Sequence, residues 1–274
     1  MVRRTLAAVA TGIAVALALA PTGPAGAGTP PNGPGTAGPP YDYATELMGE
    51  ELGKPLVPLP DKAMITRSKH GYLYRAGQQH NRLTVTFSGT SLRFVDTGTR
   101  SFHRLAAGCV EQRVWRGVAA VCPVPTWISV DRPVLLEVWP RLGNDHVNVS
   151  TLPASFAVTV LGDAGDEVVR FGAGPDFFNG FTGRDRVFGG GGNDWIRLGP
   201  DADVVRGGGA DDQLVGQDGD DVMYGDAGDD RLGGMGGRDR LVGGSGRDFL
   251  LCSGIDNFVA DLLDRLLGCG NRSS

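Results

Sequence analysis

From Gly162 to Ala260 one apolar residue returns every nine positions: Val169, Phe178, Val187, Ile196, Val205, Leu214, Met223, Leu232, Leu241, Leu250 and Val259. The residues between them are mostly small or polar. A fixed short period of this kind is the mark of a solenoid, in which each repeat buries its one apolar side chain against its neighbours. Each nine-residue unit is read as a six-residue turn followed by a three-residue strand whose middle side chain points inward. Two units then make one coil of eighteen residues, and turns two units apart stack at the inter-strand spacing of about 4.8 Å. Upstream, from Lys62 to Leu161, the pattern changes to period two or to β-branched runs: RLTVTF, SLRFV, VEQRVW, TWISV, VLLEVW, HVNVS and SFAVTV. Gly, Pro and Asp turns separate them, so this part is predicted to be β-rich.

An acid keeps phase with the apolar residue. The sixth position of the units is Glu167, Asp176, Asp185, Asp194, Asp203, Asp212, Asp221, Asp230, Asp239 and Asp248, then Asn257. Glycine holds the first and the fourth positions in eight of the eleven units each, where a tight turn needs positive φ or close backbone approach. A solvated Gly/Asp linker has no reason to hold these columns in step. Stacking brings the sixth-position carboxylates of alternate units together, and such crowding is unfavourable without a cation. Ca²⁺ suits the gap, because it takes six to eight oxygen ligands in irregular geometry and such turns offer carboxylates and carbonyls.

The units match G-G-x-G-x-D-x-U-x, with U a large apolar residue; GGGGNDWIR and GGSGRDFLL are close instances. The chain therefore resembles the hemolysin-type (RTX) calcium-binding repeat family over 162–260, with a weaker echo at Gly143-Asn144-Asp145-His146-Val147. Its layout is similar to small secreted calcium-binding proteins of actinobacteria. The resemblance implies an all-β protein: a C-terminal parallel β-roll, or nonapeptide β-solenoid, preceded by a β-rich N-terminal part. It implies Ca²⁺ as cofactor, bound between turns. Carried over column by column, it places ligands on two edges. One holds Asp176, Asp194, Asp212, Asp230 and Asp248, in well-formed turns. The other holds Asp185, Asp203, Asp221 and Asp239 beside Glu167 and Asn257, in turns that depart further from the pattern. The first edge is expected to bind Ca²⁺ more fully. Arg184, Arg238 and Arg247 each precede a ligand Asp and are expected to weaken their sites or to pair with acids.

The ends of the chain add export. Arg3 and Arg4, the run LAAVATGIAVALALA and Ala25-Gly26-Ala27 read as a signal peptide over 1–27, by the general or the twin-arginine route. The apolar run is short for a bilayer, so no stable membrane span is expected. A Pro/Gly-rich tether follows over 28–61, then the β-rich part over 62–161, the repeats over 162–260 and a cap over 261–274. Four cysteines in a secreted chain suggest two disulfides. Three pairings are open; the local one, Cys109 with Cys122 and Cys252 with Cys269, is the expected one. Cys252 and Cys269 lie about one coil apart, and the segment between them forms either a last wrap or a helical cap.

The formal net charge is −5 with acid concentrated in the repeats, which argues against a nucleic-acid partner. No HExxH and no G-x-S-x-G occurs, and His70, His80, His103 and His146 lack metal-ligand spacing. The expected function is a non-enzymatic, extracellular calcium-ion-binding protein that folds as it binds Ca²⁺. Two alternatives stay open: a structural or adhesive β-solenoid with metal incidental, and an enzyme with a site in 62–161. An unknown extracellular or cell-surface partner is compatible with any of the three.

Overall fold

A nine-residue unit gives one strand and one corner, so successive units must fall alternately on two sheets. The chain obeys this in a computed structural model that describes residues 62–269 apart from 69, 78, 79, 127, 254–256 and 260–263. The expected signal peptide and tether lie outside the described residues, which all belong to one compact unit. Every described element is a strand.

Seven strands come first: β1 (Lys62–Arg67), β2 (Gly71–Arg75), β3 (Arg82–Ser88), β4 (Ser91–Asp96), β5 (Ser101–Arg104), β6 (Val110–Gln112) and β7 (Val118–Pro123). Then follow β8 (Val134–Trp139), β9 (His146–Asn148), β10 (Phe156–Leu161), β11 (Val168–Arg170), β12 (Phe177–Asn179), β13 (Arg186–Gly191), β14 (Trp195–Arg197) and β15 (Val204–Gly209). The last are β16 (Gln213–Asp218), β17 (Val222–Ala227), β18 (Arg231–Gly236), β19 (Arg240–Ser245), β20 (Phe249–Leu251), β21 (Asn257–Val259) and β22 (Arg265–Leu267). From β8 onward even strands build one sheet and odd strands the other, a parallel solenoid of about seven turns over residues 134–267. Registers advance by eighteen: Val168, Arg186, Val204, Val222 and Arg240 align on one sheet, and Phe177, Trp195, Gln213, Arg231 and Phe249 on the other.

The core is the apolar column. Val169, Phe178, Val187, Ile196, Val205, Leu214, Met223, Leu232, Leu241 and Leu250 are all buried between the sheets. Where the first position is not glycine, Phe171, Leu198 and Cys252 are buried too and thicken the core. Several strands run past the expected three residues, as in Gly190 beside Gly208 and Gly191 beside Gly209.

The column breaks once. Val259 is 51% exposed and Phe258 buried, because Leu241 aligns with Phe258, one residue short of the period. A slip of one residue exchanges the two faces of a strand. The nine-residue register therefore holds for ten units rather than eleven, and Asn257 occupies a strand position, not the sixth position of a turn. The chain then forms a shortened coil, with Leu250 beside Leu266, so a strand stands where a helical cap was one expectation. Cys252 and Cys269 are joined across that wrap, and Cys109 and Cys122 across the β6–β7 hairpin, as expected.

No break separates residues 62–161 from the roll. β2 and β3 pair in parallel with β8 and β9, and β10 pairs with both β8 and β12. The two sheets change to mostly antiparallel pairing only beyond β2 and β3, where β1, β4, β6 and β7 close the roll's first coil. In the predicted strand TWISV, Ser129 makes an isolated bridge with Arg132 rather than a strand. Tyr74 and Phe94 stack inside this end, with ring centroids 6.0 Å apart, and the Tyr74 hydroxyl donates to Asp96 at 2.7 Å.

Positive φ falls at the fourth position, as in Gly228 (φ 143), but equally at the second. There Phe181 (φ 70), Gln217 (φ 87), Asp226 (φ 76) and Met235 (φ 76) hold a conformation that glycine adopts more readily. At the first position glycine answers a different need, close approach, which shapes the site.

Candidate metal centre

The sixth residue of each unit stands at the corner where the turn enters its strand. Its carbonyl accepts the N–H of the first strand residue one coil on: Gln213 donates to the Asp194 carbonyl and Arg231 to that of Asp212, both at 2.8 Å. This fixes the backbone, and the side chain turns inward. All nine aspartates of the column are buried, together with Glu167.

Each carboxylate then spends one oxygen on the coil before it. The main-chain N–H of Asp176 donates to Asp194 Oδ1 at 2.8 Å, Asp194 to Asp212 at 2.9 Å, Asp212 to Asp230 at 2.8 Å and Asp230 to Asp248 at 2.9 Å. On the other edge Glu167 donates to Asp185 at 2.8 Å, Asp185 to Asp203 at 2.6 Å, Asp203 to Asp221 and Asp221 to Asp239, both at 2.9 Å. Two aspartate ladders thus climb the roll inside its corners.

The second oxygen is left over. Oδ2 of Asp185, Asp194, Asp203, Asp212, Asp221 and Asp230 is buried and accepts no N–H or hydroxyl among the described residues, while the Glu167 and Asp185 carboxyls lie within reach of a shared proton. Burying an acceptor in this way costs about 1–3 kcal/mol, and more if it is charged. First-position glycine makes the space beside it: a methyl on Gly207 would fall on Asp212 Oδ2 and, at 2.8 Å, on the Gly225 carbonyl oxygen. A methyl on Gly225 would likewise strike Asp230 Oδ2 and the Gly243 carbonyl. Carboxylate and carbonyl oxygens of successive coils therefore converge where the first-position side chain is missing.

No group of three or more His, Cys, Asp or Glu side chains converges among the described residues. A cation here must draw much of its coordination from main-chain carbonyls. That favours a hard, oxygen-preferring ion tolerant of irregular shells, as Ca²⁺ is, over Zn²⁺.

Burial dominates the electrostatics. It pushes the carboxyls of Asp203 and Asp212 up to about 8, and those of Asp221 and Asp230 up to about 7, with neighbouring aspartates adding to the rise. Glu167 is pushed up to about 10 by burial and by the charge of Asp185 and Asp145. Without a counter-cation these five carboxyls resist ionisation near neutral pH, whereas Asp185 is raised only to about 6.

The model of the RTX calcium-binding nonapeptide repeat matches four times, over 161–196, 179–214, 198–232 and 215–250. Residues 161–250 are RTX calcium-binding repeats. No curated protein and no solved structure matches the chain.

Within the RTX repeats three carboxylates on each edge, Asp194, Asp212 and Asp230 on one and Asp185, Asp203 and Asp221 on the other, keep an Oδ2 without a hydrogen-bond partner among the described residues. Asp176 differs, since both its oxygens accept N–H groups, from Val158 at 2.7 Å and Gly172 at 3.2 Å. Two of the arginines before the aspartates point away from the ladders: Arg247 pairs with Asp229 at 3.1 Å and Arg184 with Asp166 at 3.8 Å, both on the outside. The ladder also outruns the RTX repeats. Asp145 is buried in the corner beneath Glu167, where the sequence echo lies, and accepts the Asn81 N–H at 2.6 Å; Asp264 accepts that of Asp248 at 3.0 Å. The inward aim of the sixth position leaves no mark in the sequence beyond the period itself.

Gly207→Ala is expected to lower stability in saturating calcium by about 2 kcal/mol, an overpacking cost. It should also remove calcium from the adjoining space. Gly209→Ala, whose methyl would meet only the Gly190 carbonyl at 4.0 Å, is expected to change neither. Melting curves and bound-calcium counts on both variants check this.

Proposed function

We propose that the chain is a secreted, non-enzymatic calcium-binding protein whose RTX repeats fold on Ca²⁺. The supporting observation is the repeated buried oxygen without a partner, Oδ2 of Asp185, Asp194, Asp203, Asp212, Asp221 and Asp230, on both edges of the roll. A Ca²⁺ ion between stacked turns would take these carboxylates and nearby carbonyls, and would neutralise the charge that burial opposes. Asp176, Asp239 and Asp248 would complete the ligand set toward the ends. Binding to the folded roll alone would make calcium a folding ligand, so stability would rise with its free concentration. Two disulfides and the expected signal peptide support an extracellular setting, where calcium is plentiful.

Calorimetric titration with CaCl₂, with circular dichroism followed in parallel, tests this reading. The expected result is uptake of several ions per chain coupled to a gain of β signal that EGTA reverses. A spectrum indifferent to both calcium and EGTA would sink it.

A further inference from the structure

The outer face of the odd-strand sheet carries a second polar site, away from the turns. β3, β9 and β11 lie side by side there, with Arg82 aligned to His146 and Thr84 to Asn148, and Asn148 in turn to Arg170. Their outward side chains line a cavity of about 300 Å³, which Thr97 also borders and whose floor includes Leu83 and Val147. That volume is at the small end of ligand pockets.

The lining is cationic and donor-rich. Arg82 and Arg170 supply the charge, His146 adds a ring whose pKa burial and these two arginines lower, and among the described lining residues there is no carboxylate. Arg82 and Arg170 enter no ion pair among the described residues. Arg170 lies over the Phe188 ring, 4.8 Å from its centroid, on β13 at the cavity's outer margin, so anion binding would draw its guanidinium from that ring toward β9. Asn148 Oδ1 accepts the Ser150 N–H at 3.1 Å and its hydroxyl at 2.8 Å, which leaves the amide nitrogen as the group with hydrogens to give. Thr84 and Thr97 add two hydroxyl-bearing residues to the lining.

We propose that this cavity binds a tetrahedral oxyanion, the sulfate or phosphate group of an ester, between Arg82 and Arg170. Such a group offers enough acceptor oxygens for two guanidiniums, Asn148 and the threonines at once, and guanidinium–oxyanion pairs are among the stronger hydrogen-bonded contacts. A carboxylate, with two oxygens in one plane, satisfies fewer of them.

The test is a chemical-shift titration of the calcium-loaded full chain at constant ionic strength, with sulfate, methyl phosphate and acetate as separate probes. Saturable shifts confined to β3, β9 and β11 are expected for sulfate or methyl phosphate, and whichever binds more tightly identifies the ester. Acetate is expected to bind at least about ten times more weakly, and Arg82→Gln/Arg170→Gln to weaken the preferred anion by about tenfold or more. Both side chains are exposed, and circular dichroism in calcium checks that the fold is retained. Arg240→Gln, an exposed arginine elsewhere on the same sheet, should leave binding unchanged. The proposal is overturned by the absence of saturable shifts with both oxyanions, or by acetate binding as tightly. It is equally overturned by a double variant within twofold of wild type, or by an equal loss in Arg240→Gln.

Discussion

In excess EGTA, acidification from about pH 8 to about pH 4.5 is expected to fold the roll rather than unfold it. The sign follows from the buried column. An ordinary aspartate titrates near 3.9 in an unfolded chain, whereas burial pushes Asp221 and Asp230 up to about 7 and Asp203 and Asp212 up to about 8. Between those limits the folded state holds more protons than the unfolded one, so stability falls as pH rises. It is fully present below the unfolded value and lost as pH passes through the folded ones. Several carboxyls act together, so the transition should be steep. With calcium present the dependence reverses, because protons compete with the ion for the same oxygens. Circular dichroism against pH, in EGTA and in calcium, checks both halves; equal folding in EGTA at both pH values would contradict the first.

Asp212→Asn with Asp230→Asn is expected to stabilise the calcium-free roll at pH 7.5 and to abolish its response to calcium locally. The amide keeps the Oδ1 acceptor for the N–H groups of Asp194 and Asp212, at 2.9 and 2.8 Å. Its nitrogen replaces an oxygen that has no partner and faces the Gly225 or Gly243 carbonyl, to which it can donate. An amide needs no proton taken up on folding, so each replacement should raise calcium-free stability by on the order of 3 kcal/mol, while a neutral side chain gives up most of the attraction for Ca²⁺. Denaturant titrations with and without calcium measure both effects. A variant less stable than wild type in EGTA would show that the column is held in some other way.

The period made the roll legible. One apolar and one acidic residue in phase identified the coil, the alternation of sheets and the inward column from Val169 to Leu250. Cysteine spacing located both disulfides, since each pair lies about one hairpin or one coil apart. The direction of the acids was not legible, because a carboxylate facing solvent and one bonded to the previous coil's N–H leave the same spacing. The slip at Phe258 was hidden by the neighbouring Val259, as either residue can fill an apolar position. Left-handed second positions were obscured by Phe181, Gln217 and Met235, which hold that geometry without being glycine. The continuity of β2 and β3 with the roll lay beyond any periodicity, since parallel partners distant in sequence carry no shared repeat.

Strand alignment in whole coils gives the roll a parity. Removing eighteen residues from its middle would return every later strand to the sheet it now occupies, with both ladders rejoined and the closing wrap at Cys252 and Cys269 still on its own side. Removing nine would carry everything downstream to the opposite sheet, exchanging the two ladders and setting the shortened final coil against the wrong edge. Growth and loss of such an array through duplication or deletion are therefore easiest in even numbers of units, with the irregular first and last coils as fixed ends.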